Sequence, residues 1–150
     1  NEGTIIELGG VKHRYHCALS RTVYIGKPDS KIDETLKITN EGVEKAIENT
    51  KPGNTCHDVA VAFWSVLEKY GLEKESRCGY SIGLGYPPDW GEHTLSIRKN
   101  EKTVLYPNVT YHLMAGMWMD TWGLEISESI RVTENGCELF CDFPRSLHLV

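Results

Sequence analysis

Gly79-Tyr80-Ser81-Ile82-Gly83-Leu84-Gly85 is the stretch that decides how this chain is read. It runs on into Tyr86-Pro87-Pro88-Asp89-Trp90-Gly91-Glu92. Short glycine motifs recur by chance, but this succession rarely does. Upstream, Ile6-Glu7-Leu8-Gly9 is followed by Ala18-Leu19-Ser20-Arg21-Thr22, which sets Glu7 and Ala18 eleven residues apart. Downstream come Pro107-Asn108-Val109-Thr110-Tyr111-His112-Leu113-Met114-Ala115-Gly116 and, beyond Ser127, Val132-Thr133-Glu134-Asn135-Gly136.

The elements around these stretches read as strand, helix pair, then strands. Thr4 to Leu8 and Thr22 to Ile25 are rich in β-branched residues and stop at glycines, which predicts a hairpin-like pair bearing Glu7. Ile32, Leu36, Val43 and Ile47 predict a helix from Ser30 to about Asn49, weakened at Asn40 and Gly42 and broken at Lys51-Pro52-Gly53. Thr55, with Asp58 three residues on, caps a second helix whose apolar face is Val59, Ala62, Phe63, Val66 and Leu67, with Gly71 as its stop. Thr94 to Ile97, Thr110 to Met114, Leu124 to Ile130 and Glu138 to Cys141 predict strands of a curved sheet.

A chain of 150 residues fits one domain, burying roughly 70% of the surface its unfolded form exposes. A net charge of −5 with no Lys/Arg cluster argues against a nucleic-acid partner. Apolar runs such as Val59 to Val66 are too short for a membrane span, and Asn1-Glu2-Gly3 has no signal-peptide pattern. The cysteines, Cys17, Cys56, Cys78, Cys137 and Cys141, are odd in number and hold no C-x-x-C pair, so reduced thiols in a cytoplasmic protein are expected. Cys137 and Cys141 are expected on one strand face as small buried hydrophobes.

The motifs resemble those of the creatinase/aminopeptidase superfamily, the pita-bread fold of prolidase, aminopeptidase P and methionine aminopeptidase. The resemblance implies an α+β fold, a curved antiparallel sheet with helices on one side. Because the chain begins almost on the strand that bears the first metal-ligand position, it is expected to be a C-terminal portion of the catalytic domain. Metal-dependent relatives carry ligands where this sequence has Glu7, Ala18, Tyr80, Met114 and Ser127. Glu7 alone keeps a carboxylate there, whereas hard divalent ions demand several carboxylates and imidazoles. No metal and no cofactor are expected. Within the superfamily the resemblance is to the ectoine hydrolases, carried by Tyr15-His16-Cys17-Ala18-Leu19-Ser20-Arg21-Thr22 and by the two stretches from Gly79 to Glu92; creatinase is a looser match. It implies metal-independent hydrolysis of a C–N bond in a small cyclic amidine, by a homodimer. The alternatives are an Xaa-Pro peptidase-like metallohydrolase and a binding module that kept the fold without the chemistry.

Candidate site residues follow from what such a reaction needs. Glu7, a carboxylate on a rigid strand, suits attack on an electrophilic C–N carbon; its alternative is a structural ion pair. His16 and His112, which share strand faces with Ala18 and Met114 by parity, are candidates for water activation and proton transfer near neutrality, as is a structural role. For substrate binding the candidates are Tyr80, as a phenolic donor or a filler of vacated volume, Trp90, as a face for a cation, and His93. Glu92 and Glu125 could hold a cationic ring nitrogen or stand solvated. Arg21 is expected to brace the sheet.

Overall fold

The computed structural model of the chain describes residues 2–86 and 89–150, Tyr86 by its backbone alone. Pro87 and Pro88 of the second motif lie outside the described residues. β1 (Glu2–Lys12) and β2 (Tyr15–Ile25) form a hairpin longer than the β-branched runs predict. Its connection is His13-Arg14, both at positive φ (50° and 71°), the signature of a two-residue turn whose twist matches the strands. The register pairs Glu7 with Ser20 and Gly9 with Ala18. Residues 7 and 9 therefore share a face with residues 18 and 20, so the eleven-residue spacing is a diagonal across one hairpin face.

α1 (Ser30–Asn49) is capped by Asp29, which accepts from the Lys31 amide, and α2 (Cys56–Lys69) by a reciprocal Thr55–Asp58 box. α1 runs through Gly42 because a Cβ there would meet the Phe63 ring at 2.9 Å. The glycine permits the close crossing of the helices, which outweighs its poor helical propensity. Tyr70 and Gly71, at φ +67°, end α2.

β3 (Gly79–Tyr86), β4 (Asp89–Ser96), β5 (Thr110–Trp118), β6 (Gly123–Val132) and β7 (Cys137–Leu139) make a second, antiparallel sheet in the order β4-β3-β5-β6-β7. Tyr111, Leu113, Ala115 and Met117 of β5, with Leu124, Ile126 and Ile130 of β6, join Val43, Ala46, Val59, Phe63 and Leu67 of the helices in one core. The opposite face of β5 and β6 carries His112, Met114 and Gly116 across from Ser129, Ser127 and Glu125. Both sheets meet on that side. Ser129 Oγ accepts from the Ala18 amide and donates to its carbonyl, Ser127 Oγ accepts from the Ser20 amide, and Thr22 Oγ1 bonds both backbone groups of Glu125. Hydroxyls thus do between β2 and β6 what a strand ladder would do.

The sequence expectations need two corrections. β7 ends at Leu139, so Cys137 and Cys141 do not share a strand face. Beyond it the chain is drawn off the sheet by the buried Arg21, whose guanidinium donates to the Phe143 and Pro144 carbonyls. β8 (His148–Leu149) then returns to pair in parallel with β2, so the sheets are not wholly antiparallel. Among the described residues no helix is long and apolar enough to cross a membrane.

Candidate active site

The five ligand-register positions fall together on the face where the two sheets meet, and four of them have other work or no donor. Ala18 offers a methyl group, and Met114, opposite Ser127 in the β5–β6 register, a thioether. The Ser127 hydroxyl is held by the Ser20 amide at 2.6 Å. Tyr80 Oη is a hub, 2.9 Å from Trp90 Nε1 and 2.9 Å from His112 Nδ1. The indole N–H can only donate, so Tyr80 accepts it; sending the phenolic proton to His112 Nδ1 then satisfies both hydrogens at Tyr80 Oη and leaves the His112 proton on Nε2. The rings of Tyr80 and His112 meet edge to face at 5.2 Å, and the Arg77 guanidinium lies over the Tyr80 ring. These donors do not fit a hard divalent ion, which needs six or so oxygen ligands. Among the described residues no group of three or more His, Cys, Asp or Glu side chains is placed to hold a metal.

Glu7 is the exception. It lies on the exposed edge strand and makes no hydrogen bond or ion pair with the described residues, yet partial desolvation raises its carboxyl above the ordinary range. Glu125, 3% exposed, projects from β6 onto the same region. Burial raises its carboxyl, Lys74 and the nearby Ser20 hydroxyl, which is too poorly aligned to count as a hydrogen bond, draw it down, and the charge of Glu7 raises it further. Its Oε1 has no hydrogen-bond partner, nor has the fully buried Ser20 Oγ beside it. Two carboxylates that repel one another, with unfilled bonding capacity, make a seat for a cation carrying N–H donors.

Trp90 stands at the edge of this region. It lies against Gly9, where a Cβ would come within 3.1 Å of the indole, so the glycine is what lets the ring rest on β1. The structure therefore brings together Glu7, Tyr80, Trp90, His112 and Glu125. It does not bring the others. His16 pairs with Val11, four residues up the hairpin from Ser20, about 13 Å at strand rise. Its Nδ1 is 3.3 Å from the Gly83 carbonyl, and it opens onto a separate cavity of about 530 Å³ with Cys17, Thr110 and Phe140. Glu92 accepts from the Leu84 amide, and the exposed His93 pairs with Asp89 at 3.0 Å, so both spend their contacts inside the β3–β4 hairpin.

His112 also departs from expectation. Complete burial disfavours the imidazolium and pushes its pKa down to about 4, so it is a fixed neutral imidazole rather than a group titrating near neutrality. Its Nε2 is buried without a partner. Arg21 braces the sheets as expected, bonding Glu128 at 2.6 Å and the Ser20 and Ser127 carbonyls. Ser20 and Lys74 are the residues that sequence reasoning missed. For Ser20 the signal was present, since it faces Glu7 across a two-residue hairpin; for Lys74, in an irregular segment, there was none.

Peptidase_M24, metallopeptidase family M24, matches residues 1–134. The chain is 50% identical over 147 residues to an ectoine hydrolase of Halomonas elongata, covering 97% of this chain and 37% of that protein. Among solved structures, dipeptidase PepE from Mycobacterium ulcerans superposes with a TM-score of 0.90 at 25% identity, over 99% of this chain and 40% of that one. X-Pro aminopeptidase from Thermotoga maritima gives 0.90 at 25% identity, over 99% and 41%. The chain thus spans about two fifths of the length of these relatives. Its strand order, its helix pair and the motifs on its inner face make it a member of the M24 family, with the pita-bread fold of the dipeptidases and aminopeptidases in that family.

Proposed function

We propose that the protein carrying this chain is a metal-independent hydrolase that opens a small cyclic amidine of the ectoine kind, with Glu7 as nucleophile. The observation that carries the reading is the inner face itself. A lone carboxylate survives in the ligand register, a second desolvated carboxylate stands beside it, and the remaining positions hold a methyl, a thioether and hydroxyls already bonded to the protein. Half-identity to an ectoine hydrolase over nearly the whole chain supports the substrate class.

An amidinium carbon is already electron-poor, so it needs less Lewis-acid help than a peptide carbonyl. Glu125 accepts a hydrogen bond from a ring N–H, and Trp90 lends its face to the cation. A Glu7 oxygen bonds to the amidinium carbon, which yields a neutral tetrahedral adduct. A proton from water goes to the leaving nitrogen as the C–N bond breaks. The hydroxide left behind adds to the carbon that carries the Glu7 oxygen, the C–O bond to Glu7 breaks to free its carboxylate, and the hydroxyl proton passes to the released amine, so one water is consumed and an acetylated diamino acid is formed.

The test is ring opening of ectoine by the intact protein, followed by mass spectrometry with and without chelator. Turnover that resists chelation and is lost in Glu7→Gln, with a mass adduct on the Glu7 peptide after rapid quench, is the expected result. Turnover that returns only with added Mn or Co transfers the protein to the metallopeptidase reading. Ligand binding that is indifferent to Glu7→Gln, without turnover, leaves a binding module.

A further inference from the structure

Lys74 lies in the irregular segment between α2 and β3, a place where lysines are usually solvated, and yet it is only 7% exposed. It is anchored at both ends. Its carbonyl accepts from Trp64 Nε1 of α2 at 2.9 Å, and its ammonium donates to the Gly116 carbonyl and the Ser76 hydroxyl, each at 2.8 Å. Both acceptors are neutral, so the buried charge is hydrogen-bonded without a direct counter-ion. Gly116 is the residue opposite Glu125 in the β5–β6 register. A Cβ on Gly116 would come 3.1 Å from Glu125 Oε2, so the carboxylate folds over that glycine while the ammonium holds its carbonyl.

We propose that Lys74 is a positioning residue of the site, a fixed cation seated behind Gly116 that keeps the Glu125 carboxylate charged and turned toward a cationic substrate. The proposal rests on the amidine reading above and extends it to a residue that touches no substrate. Other charged or titratable groups facing Glu125 are Glu7 from β1 and Tyr80 from β3, and Glu7 disfavours its ionised form. Beside the neutral Ser20 hydroxyl, which lowers the Glu125 carboxyl more, Lys74 is the cation that opposes them. Burial lowers the Lys74 pKa, and the Glu125 charge acts in the opposite direction; the buried Cys78 thiol, pushed up to about 12, stays neutral and contributes no counter-charge near pH 7. A lysine here is thus stabilised by the carboxylate it serves, and the dependence is mutual.

The experiment uses the intact protein and ectoine, with Lys74→Met, Lys74→Arg, Glu125→Gln and the Lys74→Met/Glu125→Gln pair. Removing the cation raises the Glu125 pKa, so the acid limb of kcat/KM moves upward by about one pH unit. Below that limb KM rises about tenfold, while kcat changes less. Lys74→Arg restores the limb, and in Glu125→Gln the limb that remains is that of the Glu7 nucleophile, which Lys74→Met no longer moves. A Lys74→Met protein whose limb stays in place, or which loses as much in the Glu125→Gln background as alone, overturns the proposal. If ectoine is not turned over by the parent protein, the amidine reading fails separately. The Lys74–Glu125 link is then decided by urea unfolding of the parent, Lys74→Met, Glu125→Gln and the double variant at pH 7, where coupling sustains it and additive losses end it.

Discussion

His112→Asn tests the electrostatics of the site without assuming any reaction. Asparagine can keep a polar atom near the position of His112 Nδ1, and hence a partner for Tyr80 Oη, while removing the titratable imidazole. In the native protein burial holds the His112 pKa down at about 4, against 6.5 for a free imidazole. The unfolded chain therefore binds a proton between those pH values that the native state refuses, and stability is lost as pH falls. Above pH 6.5 the effect is absent. It grows to about 2 kcal/mol at pH 5 and approaches about 3 kcal/mol near pH 4, from 1.36 kcal/mol per pH unit. Glu7, Glu125 and Glu128 act in the opposite sense, because their raised native pKa values stabilise the fold as they become protonated. The raw pH curve mixes these contributions, and the difference between parent and variant isolates that of His112. Urea unfolding followed by tryptophan fluorescence at pH 7, 6, 5 and 4.5 measures it. The parent should lose about 2 kcal/mol more than His112→Asn between pH 7 and pH 5. Parallel curves would refute the view that His112 is a buried neutral imidazole and return it to the candidates for proton transfer at neutral pH.

Other perturbations have equally defined outcomes. Tyr80→Phe strips the shared partner from Trp90 Nε1 and the buried His112 Nδ1; it should lower stability by about 1–3 kcal/mol and change the Trp90 emission, and an unchanged urea midpoint would deny that the hydroxyl is a hub. Arg21→Met leaves Glu128 buried beside Arg145 alone; the loss should be about 3–5 kcal/mol at pH 7 and shrink toward pH 4 as Glu128 becomes protonated, which unfolding at both pH values would show. Gly9→Ala places a methyl 3.1 Å from the Trp90 ring; the indole must shift, and KM should rise more than kcat falls, whereas wild-type kinetics would show that Trp90 does not face the substrate.

What could be read from the sequence was whatever local pattern dictates. α1 and α2 fell where apolar periodicity and the Thr55–Asp58 pair put them. The lengths of β1 and β2 did not, because the hairpin continues through glycines and turns on His13-Arg14, which carries no Asn-Gly signal. β8 was out of reach, since it is two residues long and pairs with a strand more than a hundred positions earlier. That Glu7 and Tyr80 share one inner face could be anticipated, because ligand spacing is a sequence property. Burial is not, and it is what separates His112 and Lys74 from their expected behaviour. Glu92 and His93 were drawn into the site by neighbourhood in a motif, whereas a hairpin can bond such residues within itself.

Each changed position also has a consequence for the carboxylates that remain. Ser127 and Tyr80 are bonded to neighbouring backbone and rings, so these two positions help to keep the inner face rigid through neutral hydrogen bonds. Neutral bonds replace geometry but not charge. A divalent cation would hold neighbouring carboxylates ionised; here the charge of Glu7 raises Glu125, and the cation that opposes it, Lys74, sits behind Gly116 on its carbonyl. The site is therefore short of positive charge on the side that faces solvent. A ligand that brings its own delocalised cation and N–H donors relieves the repulsion and fills the unpartnered Glu125 oxygen at once, whereas a neutral peptide carbonyl does neither. On the amidine reading proposed above, the positions that lack metal donors also favour a cationic substrate, because the same missing charge accounts for both.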